Sequence, residues 1–232
     1  MAKSYRQRKL ERIAFHEASH AVAGVIAGVE FTRVCLTPEN KVCDSHGMVV
    51  QGYVKMRRCP DWVLPWNWNT NQDVKRAREY FRSDICMTLA GPLGETLFTG
   101  VWQQETRGED SDEALAMHTA DIARDSGAYP SWTPKDSRDY VNRLRFQMLE
   151  TLRAVDVWAA VEVVARELCK RKTLTAAKVH SLVKRKGTPE RGPCGQRSRF
   201  LAGIRFPGPA PQVAARGRRG PVSGAQPRLR AC

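Results

Sequence analysis

The chain has 232 residues, 42% of them hydrophobic and 27% charged, with a formal net charge of +14. This is enough apolar content for a real core and excludes a chain that is disordered or fibrous throughout. After Lys186, nine Arg stand against the single acid Glu190, so +8 of the charge belongs to the tail and +6 to residues 1–186.

No nucleic-acid-binding motif accompanies the basic tail, so no specific nucleic-acid partner is expected. The longest apolar run, Ala21 to Val29, is too short to span a bilayer. The basic start, MAKSYRQRKLER, is not followed by a signal-peptide core or cleavage pattern. Seven scattered Cys with no Cys-x-x-Cys pair suit reduced thiols. Together these features predict a soluble, cytoplasmic protein with no membrane span. Cys35, Cys43, His46 and Cys59 fit no standard zinc knuckle.

The first predicted element is one long helix from about Tyr5 to Gly28, with Gly28 as its C-cap. Its second half, AFHEASHAVAGVIAG, carries His16-Glu17-Ala18-Ser19-His20 among small apolar residues. Residues four apart share a helix face, so His16 and His20 aim their imidazoles at one place, which is half of a tetrahedral zinc site. Glu17, about 100° further round the helix, can reach a water there without being a ligand. Zinc on two His with Glu as general base is metalloprotease chemistry. Two His and a Glu buried among Ala and Val need a partner, and a metal ion supplies one.

Phe31–Thr37 and Gly47–Lys55 are extended candidates that form a short hairpin or small sheet after the first helix. Such a sheet covers the helix, and an edge strand of it could pair with an extended peptide. Trp62, Trp66 and Trp68 lie in an aromatic loop with no helical or strand period. That loop either packs on the domain by its own indoles or contacts substrate as a flap.

A helix begins near Asp73, with apolar positions at Ile85, Leu89, Leu93 and Leu97. Gly91-Pro92 is expected to kink or divide it. Ser111 is a good N-cap for a helix from about Asp112 to Ser126. Glu95, Asp110, Asp112 and Glu113 are all candidate oxygen ligands, and spacing alone leaves the choice among them open. His118 suits packing or hydrogen bonding better than metal binding. Three further helical segments follow, over about Lys135 to Ala154, then from a cap at Asp156 to Arg171, then Leu174–Lys186. From Gly187 onward, 15 of the last 46 residues are Gly or Pro and hydrophobic periodicity ends. The expected organisation is therefore a mainly α domain over 1–186 and a disordered basic tail over 187–232.

The order of motifs resembles the peptidase domain of the FtsH family of ATP-dependent, membrane-anchored zinc proteases, over about residues 10–186. AFHEASHAVAG is similar to that family's AYHEAGHAL-type zinc helix. VCLTP followed by HGMV resembles its short strand segment and glycine strand. MTLAGPLGETLFTG resembles its LAGRAAEELVFG-type helix, and RGEDSDEALAMHTADIAR its GASNDL-x-x-AT-x-x-AR-type segment. LCKRKTLTAAKVHSLV resembles its closing pattern. Ser19 stands where the family has Gly, and Pro92 where it has Arg.

The resemblance implies Asp112, four residues after Gly108, as the third zinc ligand beside His16 and His20. It makes Glu95 a supporting carboxylate that orients a ligand His. It also implies Zn²⁺ as cofactor, a protein or peptide as substrate, and a homo-oligomer by analogy. No Gly-x-x-x-x-Gly-Lys-Ser/Thr loop occurs, so a separate ATPase or unfoldase partner would have to supply unfolding. The alternative expectation is a non-catalytic zinc-containing binding or adaptor module with the same fold.

Overall fold

The computed structural model of the chain describes residues 4–36, 42–43, 49–50, 52–56, 60–101 and 111–185. The fold is mainly helical, with a small three-stranded antiparallel sheet. The expectations for the tail over 187–232, for Asp110, and for the side chains of Cys43, His46 and Cys59 lie outside the described residues.

Helix α1 (Tyr5–Ala27) starts at Ser4, whose hydroxyl accepts from the Gln7 amide, and stops at Gly28 with φ +72°. Its first half is polar and largely exposed. From Ala14 onward it is almost entirely buried, because its Ala and Gly positions let a second helix approach closely. That partner is α2 (Asn71–Thr99), opened by a reciprocal Thr70–Asp73 capping box. The two run antiparallel: Gly24 meets Met87, His20 meets Gly91, Ser19 meets Gly94, and Phe15 stacks on Phe98 at 4.0 Å.

Of the two expectations for Gly91-Pro92, a kink or a division, the division does not occur; the helix is continuous from Asn71 to Thr99 with Pro92 inside it. Proline removes one amide donor and costs on the order of 3 kcal/mol in a helix interior. Here Leu89, Ala90, Leu93 and Gly94 around it are buried against neighbouring elements, and that packing offsets the lost bond.

Helix α3 (Asp112–Asp125) is capped by Ser111 and packs on α2. Helix α4 (Pro134–Arg153) opens with Pro at its first turn and a Thr133–Asp136 capping box. Helix α5 (Val155–Arg171) is not capped by Asp156. Ala154 takes the N-cap position with no side-chain bond, and Asp156 lies inside the first turn, where a carboxylate complements the helix dipole.

Strand β1 (Phe31–Leu36) pairs antiparallel with β4 (Gly52–Met56), from Leu36 opposite Gly52 to Phe31 opposite Met56. A bulge falls between Phe31 and Arg33. The other edge of β1 pairs with β5 (Thr173–Thr175), which places Val34 opposite Leu174. Sequence reading assigned Leu174 to a helix. The three-residue strand instead buries Leu174 beside β1, and α6 (Ala176–Lys184) starts from a Thr175 cap. The short strands β2 (Val42–Cys43) and β3 (Val49–Val50) pair with each other.

The main core lies between α1, α2, α3, α4, α5, α6 and β1. A smaller one, built from Val63, Ala77, Phe81, Ala123 and Ala128, sits under the tryptophan segment. No helix of the described residues is long and apolar enough to cross a membrane.

Candidate metal centre

His16 and His20 project from the buried half of α1 toward α2, and Asp112 enters from the first turn of α3. His16 Nε2 lies 3.0 Å from Asp112 Oδ2, and His20 Nε2 lies 3.1 Å from the same oxygen. The two Nε2 atoms are 3.1 Å apart. These three atoms form a nearly equilateral triangle. Ligands 2.0–2.2 Å from a tetrahedral zinc ion stand about 3.3–3.6 Å from each other, so the triangle needs to open by only a few tenths of an ångström.

The other ring nitrogens explain why the triangle faces inward. His16 Nδ1 lies 3.1 Å from Glu95 Oε2, and His20 Nδ1 lies 2.7 Å from the Met87 carbonyl. Both partners only accept, so each Nδ1 carries the proton and each Nε2 presents a lone pair. Two lone pairs and a carboxylate oxygen converge with no donor among them. Such a group demands a positive charge, and its N, N, O chemistry suits zinc. Among the described residues this is the one cluster of three or more His, Cys, Asp or Glu with such geometry.

The electrostatics agree. Burial pulls His16 and His20 toward the neutral form, but the Asp112 contacts, with Glu95 beside His16, outweigh it and raise both imidazoles above their usual range. Burial pushes Asp112 the other way, yet the two imidazoles hold its carboxyl well below the usual carboxylate range. Without a metal, the site gathers positive charge as protons. Glu17 is different: burial raises its carboxyl above the ordinary value despite the nearby imidazoles.

The closeness of α2 depends on Gly91. A Cβ there would lie 2.2 Å from His20 Nε2 and 2.6 Å from His16 Nε2. Gly52, at the start of β4, comes equally close to Glu17; a Cβ would lie 2.6 Å from its Oε1. The β4 strand has β1 on one side and is an edge of the three-stranded sheet on the other. Among the described residues no strand pairs with that outer edge of β4, which begins beside Glu17.

No protein-family model and no curated protein matches this chain.

Of the four acids that spacing left open, Asp110 lies outside the described residues, and among the other three Asp112 is the one in the triangle. Glu95 contacts the outer nitrogen of His16 instead, and its other oxygen is 3.2 Å from Arg12 Nε. Glu113 pairs with Arg145 on α4. His118 is exposed on α3. The tryptophans are not gathered at the triangle. Trp62 and Trp68 pack on the smaller core, with Trp68 Nε1 donating to the Trp62 carbonyl and Arg76 lying over the Trp62 ring. Ala77 and Phe81 in that core precede Gly91 by fourteen and ten residues, about 21 and 15 Å of helix. Trp66 is 75% exposed.

Sequence reasoning missed Arg12, Gly52, Gly91 and the Met87 carbonyl. Arg12 stands one turn before His16 and was legible by spacing. The Met87 carbonyl is backbone and has no residue-type signal at all.

Proposed function

We propose that the chain is a zinc-dependent metalloendopeptidase of the FtsH type, acting on flexible or unfolded protein segments. The observation that carries this reading is the inward-facing His16–His20–Asp112 triangle with a buried carboxylate, Glu17, on the same helix.

His16, His20 and Asp112 would hold the zinc ion. Bound zinc supplies Lewis acidity, which acidifies a water and polarises the peptide carbonyl. Glu17 accepts the proton of the attacking water and later delivers it to the leaving amine. Burial of its carboxyl excludes bulk water from the proton it carries between the two steps. Glu95 and the Met87 carbonyl hold the two imidazoles in the ligating tautomer, and Arg12 steadies Glu95. Peptide-bond hydrolysis also needs an extended substrate held beside the site. The outer edge of β4, which starts at Gly52 next to Glu17 and pairs with no strand among the described residues, is suited to that by strand addition.

The test is cleavage of casein by the zinc-loaded chain. Activity that a chelator removes and zinc restores supports the peptidase. Stoichiometric zinc with no cleavage of any unfolded protein supports the adaptor alternative.

A further inference from the structure

The seam that holds the metal triangle continues toward the N-terminus of α1 and the C-terminus of α2. There it opens into a cleft of about 460 Å³. Arg8, Lys9 and Arg12 line it from α1, with Glu11 as the single acid, and Phe98 and Thr99 line it from α2. Arg8, Arg12 and His16 are spaced by four, so they stand in one row on the helix. The aromatic wall is fixed, because Phe98 stacks on Phe15 at 4.0 Å and Phe15 in turn stacks on Trp158 at 5.6 Å.

The charge in this cleft is not matched from within. Arg12 is used by Glu95, whereas Arg8 and Lys9 make no ion pair with any described residue. Lys9 is nonetheless half-buried, and a half-buried ammonium on an aromatic-walled cleft favours an anionic partner.

We propose that this cleft is a substrate subsite that takes an acidic side chain, so that the enzyme prefers peptides carrying Asp or Glu at a fixed distance from the scissile bond. The proposal rests on the peptidase reading above. Arg8 and Lys9 precede His16 by eight and seven residues, about 10–12 Å along α1. An extended peptide covers that distance in three to four residues. The row Arg8–Arg12–His16 therefore acts as a ruler, with bond hydrolysis at one end and carboxylate recognition at the other.

The experiment walks Asp through positions two to five on each side of the scissile bond of a fluorogenic peptide, with Asn at the same position as reference. Wild type, R8A/K9A and R6A are compared; Arg6 does not line the cleft, and its removal loses the same kind of charge. The expected result is a preference for Asp over Asn of about tenfold in kcat/KM at one position three or four residues out. That ratio falls toward one in R8A/K9A and persists in R6A. A ratio near one at every position in wild type overturns the proposal, as does an equal loss in R6A and R8A/K9A, which would mark a general field.

If the zinc-loaded wild type cleaves none of the peptides, the peptidase reading fails separately. Fluorescence anisotropy of the same labelled Asp and Asn peptides then decides the cleft. Tighter binding of the Asp peptide that R8A/K9A abolishes supports it, and equal binding of the two overturns it. Binding of polyuridylate that depends on Arg8 and Lys9, without discrimination between the peptides, also overturns it and assigns the cleft to nucleic acid.

Discussion

Gly91 faces His20 so closely that a methyl group on it would stand 2.2 Å from His20 Nε2. The centre is thus shaped as much by an absent side chain on α2 as by the residues on α1. The atom met is the nitrogen proposed to bind the metal, and it cannot move without losing its place in the triangle. Gly91→Ala is expected to lower zinc affinity at least 100-fold while circular dichroism still reports a helical fold. Metal content after equilibration with a competing chelator checks this.

Glu95 holds His16 through Nδ1. Removing a carboxylate that orients a ligand imidazole costs about 10–100-fold in metal affinity. Glu95→Ala is expected to fall in that range, and Glu95→Gln to recover part of the loss because its carbonyl oxygen still accepts from Nδ1. Competitive zinc titration of both variants measures the difference.

Ser19 and Gly94 are a matched pair at the α1–α2 contact. A Cβ on Gly94 would lie 1.8 Å from Ser19 Oγ and 2.5 Å from Ser19 Cβ. Gly94→Ala should destabilise the chain by about 1–3 kcal/mol through overpacking. Adding Ser19→Gly should remove most of that penalty, although glycine itself costs about 1 kcal/mol in a helix interior. Denaturant unfolding of the two single variants and the double variant closes the cycle.

Asp84 on α2 accepts a 3.2 Å bond from Thr119 Oγ1 on α3. Burial raises its carboxyl above the ordinary value, and that hydrogen bond only partly opposes the shift. A raised carboxyl binds its proton more tightly in the folded chain than in the unfolded one. Stability is therefore lost as pH rises from the ordinary carboxyl range through the raised one. Asp84→Asn should flatten this slope and raise Tm at pH 7 by a few degrees. Thermal melts of both proteins between pH 4 and pH 8 provide the check.

The sequence carried α1 and α3 well, because each has a strong local signal: Gly28 closes α1 and Ser111 opens α3. It did not carry β5, since three residues have no period and Leu174 becomes a strand residue only when Val34 lies opposite. Nor did it carry the continuity of α2 through Pro92, which depends on packing from a helix more than sixty residues earlier. For the metal centre, His16 and His20 were legible from their spacing on one helix. Asp112 was not legible from spacing, because the sequence between Glu95 and Asp112 carries no periodicity that fixes a register, and only the resemblance to a family singled it out. Gly91 and the Met87 carbonyl act through the backbone, and their role is visible only once α1 and α2 lie side by side.

In the proposed reaction Glu17 moves the proton while His16, His20 and Asp112 hold the metal. The most direct test is the casein-cleavage rate of Glu17→Gln at measured full zinc occupancy. The predicted result is zinc binding equal to wild type with a rate lower by about 10²–10⁴-fold. A fully zinc-loaded Glu17→Gln that cleaves at the wild-type rate would contradict the account.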